Sequence, residues 1–143
     1  MTVTNDWNAQ VVEEFRANGG KVGGRFEGGD IVLMHYHGRK SGTEYISPVV
    51  YRPGDDSDTI YVFASKGGAP EHPEWYYNLL EDDNAFVEVG TETYPVTVTE
   101  ITGEERDAIY AAHVVRYPGF GEYTKSTEGI RTIPVLALTR KNS

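Results

Sequence analysis

The sequence predicts an α+β fold, in which a largely antiparallel sheet of about six strands is flanked by three helices. Short β-rich runs recur between turn signals, and where the joins between these runs are short they look like hairpins. The regular alternation of strands and helices that indicates a doubly wound sheet is not seen. A sheet that curls or closes into a barrel, with its helices packed outside, is the simplest way to cover the edge strands.

The first predicted element is a helix that begins at Asn5 or Asp6 and ends at a pair of glycines. Its apolar stripe of Trp7, Val11 and Phe15 recurs at a spacing of four and must pack on something. Runs rich in β-branched and aromatic residues then predict six strands, at 31–36, 46–51, 59–64, 86–89, 94–101 and 133–138.

Two further helices are predicted between these strands. The second lies within 70–80, where apolar residues recur at a spacing of four and Pro73 is acceptable in the first turn. The third starts at a capping box of Thr102 and Glu105 and runs towards Arg116. A Pro-Gly pair at 118–119 ends this helix, and we expect a short aromatic segment to follow it.

Length and composition limit the classes of function. The chain has 143 residues, which favours one domain over 1–143, and a formal charge of −9, which repels nucleic acid and anionic lipid. The absence of cysteine excludes thiolate chemistry and cysteine metal sites. The apolar runs, such as 31–34, are far below the ~18 residues of a membrane span, so we expect a soluble, cytoplasmic protein. The first helix could touch a membrane surface, but Asp6, Glu13 and Glu14 oppose anionic lipid, and docking on the barrel is favoured.

Two positive islands stand out on this acidic chain. The window 31–43 carries only the charges of Arg39 and Lys40, and the window 59–70 carries only that of Lys66. Each island is a glycine-containing turn directly after a predicted strand; we name 38–42 the first cationic turn and 65–68 the second. Glycine lets backbone amides approach a ligand, and hydroxyls and cations add donors and charge, so together they predict a site for phosphate or carboxylate. The alternative is a pair of ordinary solvated turns. The pattern is not a P-loop, because Arg39 stands where that motif requires glycine.

Aromatic residues and histidines leave further alternatives open. The segment 69–78 follows the second cationic turn and could stack an aromatic ligand, although Trp75 and Leu79 are equally explained as core. His35 and His37 share one strand face at the spacing of two metal ligands. With no residues placed to complete such a site, packing or contact with a ligand edge is favoured and no metal is predicted.

These residues carry a resemblance to a known family. The runs GRKSG at 38–42, SKGGAP at 65–70, HP at 72–73, WYYNL at 75–79, VEVG at 87–90, ER at 105–106 and TIPV at 132–135 occur in this order. Together they resemble the deazaflavin-dependent nitroreductase family of actinobacteria, over about residues 7–138. The resemblance implies a split β-barrel similar to FMN-binding reductases, and coenzyme F-420, with FMN the less suitable cofactor.

The resemblance also implies residue roles. The phosphate and oligoglutamate tail of F-420 would lie on the two cationic turns and the deazaflavin ring along the strand that ends at Ala64. The implied cofactor-binding residues are Arg39, Lys40, Ser41, Gly42, Pro48, Ala64, Ser65, Lys66, Gly67, Gly68, Trp75 and Asn78. One departure from the family pattern is Tyr45, which stands where another arginine is common, and Lys21 or Arg25 could substitute for it.

The implied reaction is hydride transfer from reduced F-420 to an electron-poor small molecule such as a quinone, an activated enone or a nitroaromatic. Val50, Tyr117, Phe120 and Tyr123 would line the acceptor pocket. Tyr117, Tyr123 and Ser65 are candidates to donate a hydrogen bond or proton to the acceptor oxygen, with a plain pocket wall as the alternative for the tyrosines. Phe120 stands where a hydroxyl is expected, which counts against nitroimidazole reduction. The alternative function is a deazaflavin or flavin carrier with little turnover, and the protein is expected to be a monomer or a homodimer.

Overall fold

The computed structural model describes the backbone of residues 2–3 and 6–8, and both backbone and side chains of residues 9–23, 30–54, 56 and 58–141. The strands are β1 (Thr2–Val3), β2 (Ile31–His37), β3 (Glu44–Pro53), β4 (Thr59–Phe63), β5 (Phe86–Val89), β6 (Glu92–Ile101) and β7 (Val135–Arg140). The helices are α1 (Asp6–Ala17), α2 (Glu74–Glu81), α3 (Gly103–Arg116) and α4 (Gly119–Thr127), with a 3₁₀ turn at Lys66–Gly68.

Six strands close into an antiparallel barrel in the order β3-β2-β5-β6-β7-β4, and a pairing between β4 and β3 completes the circle. The short β1 adds in parallel to the start of β3. The predicted α+β barrel of about six mostly antiparallel strands is therefore confirmed. β1 was not predicted, because two residues are too few to show a strand pattern.

The side chains of the barrel strands alternate between an inner and an outer face, as a strand period of two requires. Val32, Met34, Val62 and Leu136 point inward and form the main core with Leu79 of α2. Outside the barrel, Phe15 of α1 packs on the opposite face of β2 and β3, so the predicted docking of the first helix is confirmed. The side chain of Trp7 lies outside the described part of the chain.

After the break at 118–119 only a short aromatic segment was expected, and three helices in all; the structure instead forms a fourth helix, α4, over 119–127. Its two glycines and two threonines give it little helix propensity of its own. Packing of Phe120 and Tyr123 against the outer cluster around Phe63 holds the helix, and the buried Thr127 hydroxyl donates to the Tyr123 carbonyl over 2.8 Å. Tertiary contact therefore overrides local preference here.

Two helix starts also differ from expectation. Pro73 is extended, with ψ of 151°, and is the N-cap of α2, so it does not lie in the first turn. Thr102 precedes α3 as predicted but makes no capping hydrogen bond from its side chain. The reason is Gly103, whose φ of +67° is not helical and displaces the first turn from the geometry that a capping box needs. Glu104 and Glu105 still favour this end of the helix through its dipole.

Candidate functional site

The first cationic turn joins β2 to β3. Its backbone is closed by bonds from the Gly38 amide to the Thr43 carbonyl and from the Gly42 amide to the Gly38 carbonyl, each 2.8 Å. The turn borders an open cavity of about 320 Å³. The cavity is lined by Tyr36, Gly38, Arg39, Lys40, Ser41, Tyr45, Glu74 and Asn78. Tyr45, the departure from the family pattern, thus lies in the wall of this cavity.

Arg39 is held on α2 by an amide and a carboxylate. The carbonyl oxygen of Asn78 accepts hydrogen bonds from the Arg39 amide (3.1 Å) and from Nη1 (2.9 Å). Nη1 also lies 3.0 Å from a carboxylate oxygen of Glu74, and the guanidinium carbon lies 5.1 Å from the centre of the Tyr77 ring. Asn78 is buried. Its carbonyl oxygen is therefore committed to orienting Arg39.

The second cationic turn has an unusual backbone. Lys66, Gly67 and Gly68 have φ of 47°, 63° and 84°, and Lys66 is the one non-glycine residue with positive φ in the described part of the chain. A Cβ at Gly68 would collide with the hydroxyl of Ser126 on α4 and lie 3.2 Å from the Tyr123 ring, so only glycine fits there. The Ser126 hydroxyl donates to the Gly68 carbonyl over 2.9 Å. This turn is consequently packed under α4.

Both cationic turns contact the chain just before and within α2. Lys66 Nζ lies 2.8 Å from Glu71 Oε1, and this bond together with the positive charge lowers the pKa of Glu71. Arg39 contacts Glu74 as described above. These two carboxylates belong to residues three positions apart, and three residues span at most about 11 Å of backbone. The two islands, which are 27 residues apart in the sequence, thus engage the same short segment, 71–74.

Arg131 is a residue of this site that the sequence did not reveal. Its Nε donates to the Ala69 carbonyl (3.0 Å), Nη1 to the Ala64 carbonyl (3.0 Å) and Nη2 to the Ser65 carbonyl (2.8 Å). Nη1 also lies 2.8 Å from Nδ1 of His72. These partners are 59 to 67 residues away along the chain, so no local pattern could have indicated them.

β3 changes partners beside the second cationic turn, and we name the resulting gap in strand pairing between β3 and β4 the cleft. β3 pairs with β2 through 44–50 and with β4 only through 51–53. Tyr51 pairs with Val62, so a continued pairing of these two strands would place Pro48 opposite Ser65. β4 ends before this point, and the Ala64 amide bonds instead to the Pro134 carbonyl (3.0 Å). The outer edge of β3 at 46–50 is therefore left open among the described strands.

An aromatic wall stands on the outer face of the barrel next to this cleft. Phe63 of β4 stacks on His113 of α3, with ring centres 3.9 Å apart, and meets Phe120 of α4 edge-on at 5.8 Å. Tyr123 packs in the same cluster. His113 is completely buried and neither ring nitrogen has a hydrogen-bond partner, and burial lowers its pKa to about 4. The wall is therefore apolar and neutral.

The remaining predicted pocket residues have different surroundings. Tyr117 accepts a hydrogen bond from the Asp30 amide (2.9 Å) and its hydroxyl lies 3.5 Å from an Asp30 carboxylate oxygen. Val50 packs against the cluster under α1, and Pro48 is buried. Trp75 is half-buried and packs against the barrel core, in agreement with its core interpretation.

The other candidate residues have separate surroundings. His35 bonds to Glu88 and His37 Nδ1 lies 3.0 Å from Asp82, so the two imidazoles engage different carboxylates. Within the described ranges no group of three or more His, Asp or Glu side chains could hold a metal ion. Lys21 lines a different cavity, of about 590 Å³, beside α1, and Arg25 lies outside the described residues. Among the described helices, none has the length and apolar character needed to cross a membrane.

Known proteins resemble this chain in sequence. The family model described as F420H(2)-dependent quinone reductase matches residues 7–140. A quinone reductase of that description from Mycobacterium tuberculosis is 30% identical over 129 residues, which cover 89% of this chain and 85% of the relative. A counterpart from Mycobacterium bovis, described as putative, matches equally.

Solved structures agree with the sequence comparison. An F420-H2 dependent reductase (FDR-A) is 35% identical, with a TM-score of 0.66, over 76% of this chain and 93% of its own. A chain solved as a domain-swapped dimer is 33% identical, with a TM-score of 0.68, over 93% and 97%. The split-barrel prediction is thereby confirmed, and so is F-420 as the cofactor of the family. This chain belongs to the F420H(2)-dependent quinone reductase family.

Proposed function

We propose that this protein oxidises reduced F-420 with a quinone, and that its two cationic turns hold the anionic part of the coenzyme. One observation carries the placement: the turns after β2 and β4 engage carboxylates three residues apart, Glu74 at the start of α2 and Glu71 just before it, and the second turn follows the strand that borders the cleft. The descriptions of the family and of the relative from Mycobacterium tuberculosis support the quinone as acceptor.

The residues of the site fit the coenzyme chemically. Arg39, Lys40 and Lys66 are cations next to glycine-containing turns, and such donors suit a phosphate followed by carboxylates. Ser41 and Gly42 complete the first turn, and Gly67 and Gly68 the second. FMN offers one phosphate and would leave one of the two turns without an anion. The site therefore favours F-420 over FMN.

The ring of the coenzyme belongs, in this proposal, in the cleft. Pro48 on β3 and Ala64 and Ser65 after β4 border it, so the ring would lie between these segments. The contacts of Asn78 and Trp75 suggest a smaller part for both, since Asn78 orients Arg39 and Trp75 packs in the core. We therefore assign these two residues to the support of the site.

When bound, reduced F-420 supplies a hydride. The chain's contribution is to align the acceptor and exclude water, which the apolar wall of Phe63, Phe120 and Tyr123 can do. Val50 and Tyr117 would complete the acceptor pocket. Ser65 and Tyr123 are the better candidates to donate a hydrogen bond to the acceptor oxygen, because the Tyr117 hydroxyl already meets Asp30.

The experiment is a titration of the purified protein with F-420 and with FMN, followed by oxidation of reduced F-420 with a series of quinones. We expect F-420 to bind more tightly than FMN and to be oxidised by quinones. Tight binding without oxidation by any quinone would favour the carrier, and preference for FMN would contradict the proposal.

Enones and nitroaromatics, including a nitroimidazole, extend the series, and Phe120 leads us to expect little nitroimidazole reduction. Size-exclusion chromatography separates the monomer from the homodimer.

A further inference from the structure

We propose that Arg131 is the positioning residue of the second cationic turn: it holds the turn in its left-handed shape and supplies, from beneath, positive charge for the coenzyme's phosphate. This inference rests on the proposed function, because it takes the anionic part of F-420 to lie on that turn.

The hydrogen bonds of Arg131 define a rigid support. All three of its nitrogens donate to backbone carbonyls, those of Ala64, Ser65 and Ala69, at 2.8 to 3.0 Å. These carbonyls lie on both sides of the 3₁₀ turn at Lys66–Gly68. The guanidinium is a planar fork with five donors, so one side chain fixes both ends of the turn at once.

This support orients the amide that faces the ligand. In a trans peptide the C=O and N–H bonds point in opposite directions. The Ser65 carbonyl points at Arg131, so the Lys66 amide N–H, which shares its peptide plane, points away from Arg131. Lys66 at φ 47° is in a conformation that non-glycine residues adopt only when their surroundings hold them there. Arg131 holds the peptide that precedes Lys66, and Ser126 holds the Gly68 carbonyl that follows it.

The charge of Arg131 has no anion of its own. In the portion of the chain that the structure describes, no carboxylate lies within 4.0 Å of its guanidinium. Burial lowers the pKa of Arg131, and the carboxylate of Glu71, which opposes this effect, is bonded to Lys66 instead. A half-buried cation on a chain of charge −9 is thus left to act on whatever anion the turn receives.

His72 keeps this cluster singly charged. Arg131 Nη1 can only donate, so Nδ1 of His72 must accept, and the imidazole is neutral with its proton on Nε2. Burial and the charge of Arg131 lower the pKa of His72, in keeping with this state. The support is therefore an arginine stabilised by neutral acceptors, which leaves its positive charge available to a ligand.

The test measures two ligands on three variants. Binding of F-420, and of its deazaflavin chromophore lacking the phosphate and glutamates, is followed by fluorescence at low salt. For Arg131→Met we expect F-420 to bind about tenfold more weakly and the chromophore to change less than about twofold. Arg131→Lys, which keeps the charge but loses the fork, should fall between the wild type and Arg131→Met.

Arg106→Met is the matched control. Arg106 is also half-buried and donates twice to a backbone carbonyl, that of Ile133, at 3.1 and 2.9 Å, but it does not touch the turn. The Arg106→Met variant should be less stable than the wild type, but the ratio of its affinities for F-420 and for the chromophore should be unchanged. If Arg131→Met does not fold, Arg131→Gln is measured with the same expectation.

The outcomes separate this inference from the proposed function. A wild type that binds the chromophore as tightly as F-420 would contradict the proposed cationic site itself. A wild type that prefers F-420, with that preference unchanged in Arg131→Met, would overturn the inference alone. Equal weakening of both ligands would also overturn it, since Arg131 would then be structural only.

Discussion

The two cationic turns differ in how they are held, although both pair with carboxylates at or just before the start of α2. The first is an ordinary turn whose ligand group is a side chain, Arg39, oriented by Asn78. The second is a left-handed turn whose ligand groups include the backbone, and this backbone is held by Arg131 from below and by Ser126 from α4. The same sequence pattern, a cation among glycines, is thus held in two ways: in the first turn a distant side chain accepts from the Arg39 amide and guanidinium, and in the second distant side chains donate to backbone carbonyls.

The largest expected effect separates the glycines of the two turns. Gly68→Ala should destabilise the fold by about 4 kcal/mol, because left-handed strain adds to overpacking against α4. Gly42→Ala, at φ +71° with no atom within 4 Å of the added Cβ, should cost only the strain, about 1 kcal/mol. Urea unfolding measures both. Equal losses would mean that the second turn is not packed as described.

Low pH should destabilise the second cationic turn, because α4, which packs on this turn, is held by the aromatic wall that contains His113. The pKa of His113 is about 4 in the folded protein and about 6.5 when unfolded, so falling pH protonates the unfolded chain first. The contribution of His113 to the free energy of unfolding is complete above pH 6.5 and should decline by about 3 kcal/mol as the pH falls towards 4. The measurement is urea unfolding of the wild type and of His113→Phe across this range.

The difference between these two proteins isolates His113, since the carboxylates are common to both. His113→Phe should have the flatter profile. Parallel profiles would show that the imidazole is not buried uncharged.

The first turn is tested at Asn78. Asn78→Leu removes the acceptor of the Arg39 amide and guanidinium, so we expect a loss of about 2 kcal/mol in stability and weaker binding of F-420. The exposed Asn84 provides the control, because Asn84→Leu should leave F-420 binding unchanged. Unfolding and fluorescence titration measure the two effects. Unaltered F-420 binding in Asn78→Leu would show that Asn78 does not orient Arg39 for the coenzyme.

The smallest effect concerns the carboxylates that occupy the cations. Glu71→Gln should tighten F-420 binding about two- to threefold, because the ligand no longer displaces an anion from Lys66. Glu74→Gln should gain less, since Arg39 keeps its bonds to Asn78. Glu122→Gln, which alters an exposed pair with Lys125, is the control. Weaker binding in Glu71→Gln would show that this carboxylate supports the site.

Strand patterns predicted much of the architecture, while element ends and one helix were missed. The run around Val32 is rich in β-forming residues and the run around Val62 alternates with strand periodicity, and such patterns located all six barrel strands. Helix α4 was missed because its stability comes from Phe120 and Tyr123 packing on Phe63, which is far away in the sequence. The capping box failed for a local reason, the positive φ of Gly103.

The sequence by itself determined the charge pattern and the turns that carry it. Glycines beside isolated cations at strand ends are local features, and they were enough to indicate an anionic ligand on an acidic chain. Only the tertiary structure decided what surrounds those turns: Arg131 beneath the second, Asn78 behind the first, and the cleft where β3 leaves β4. The physical reason is that hydrogen-bond partners many residues apart become neighbours only when the barrel closes, and no periodicity along the chain records such pairs.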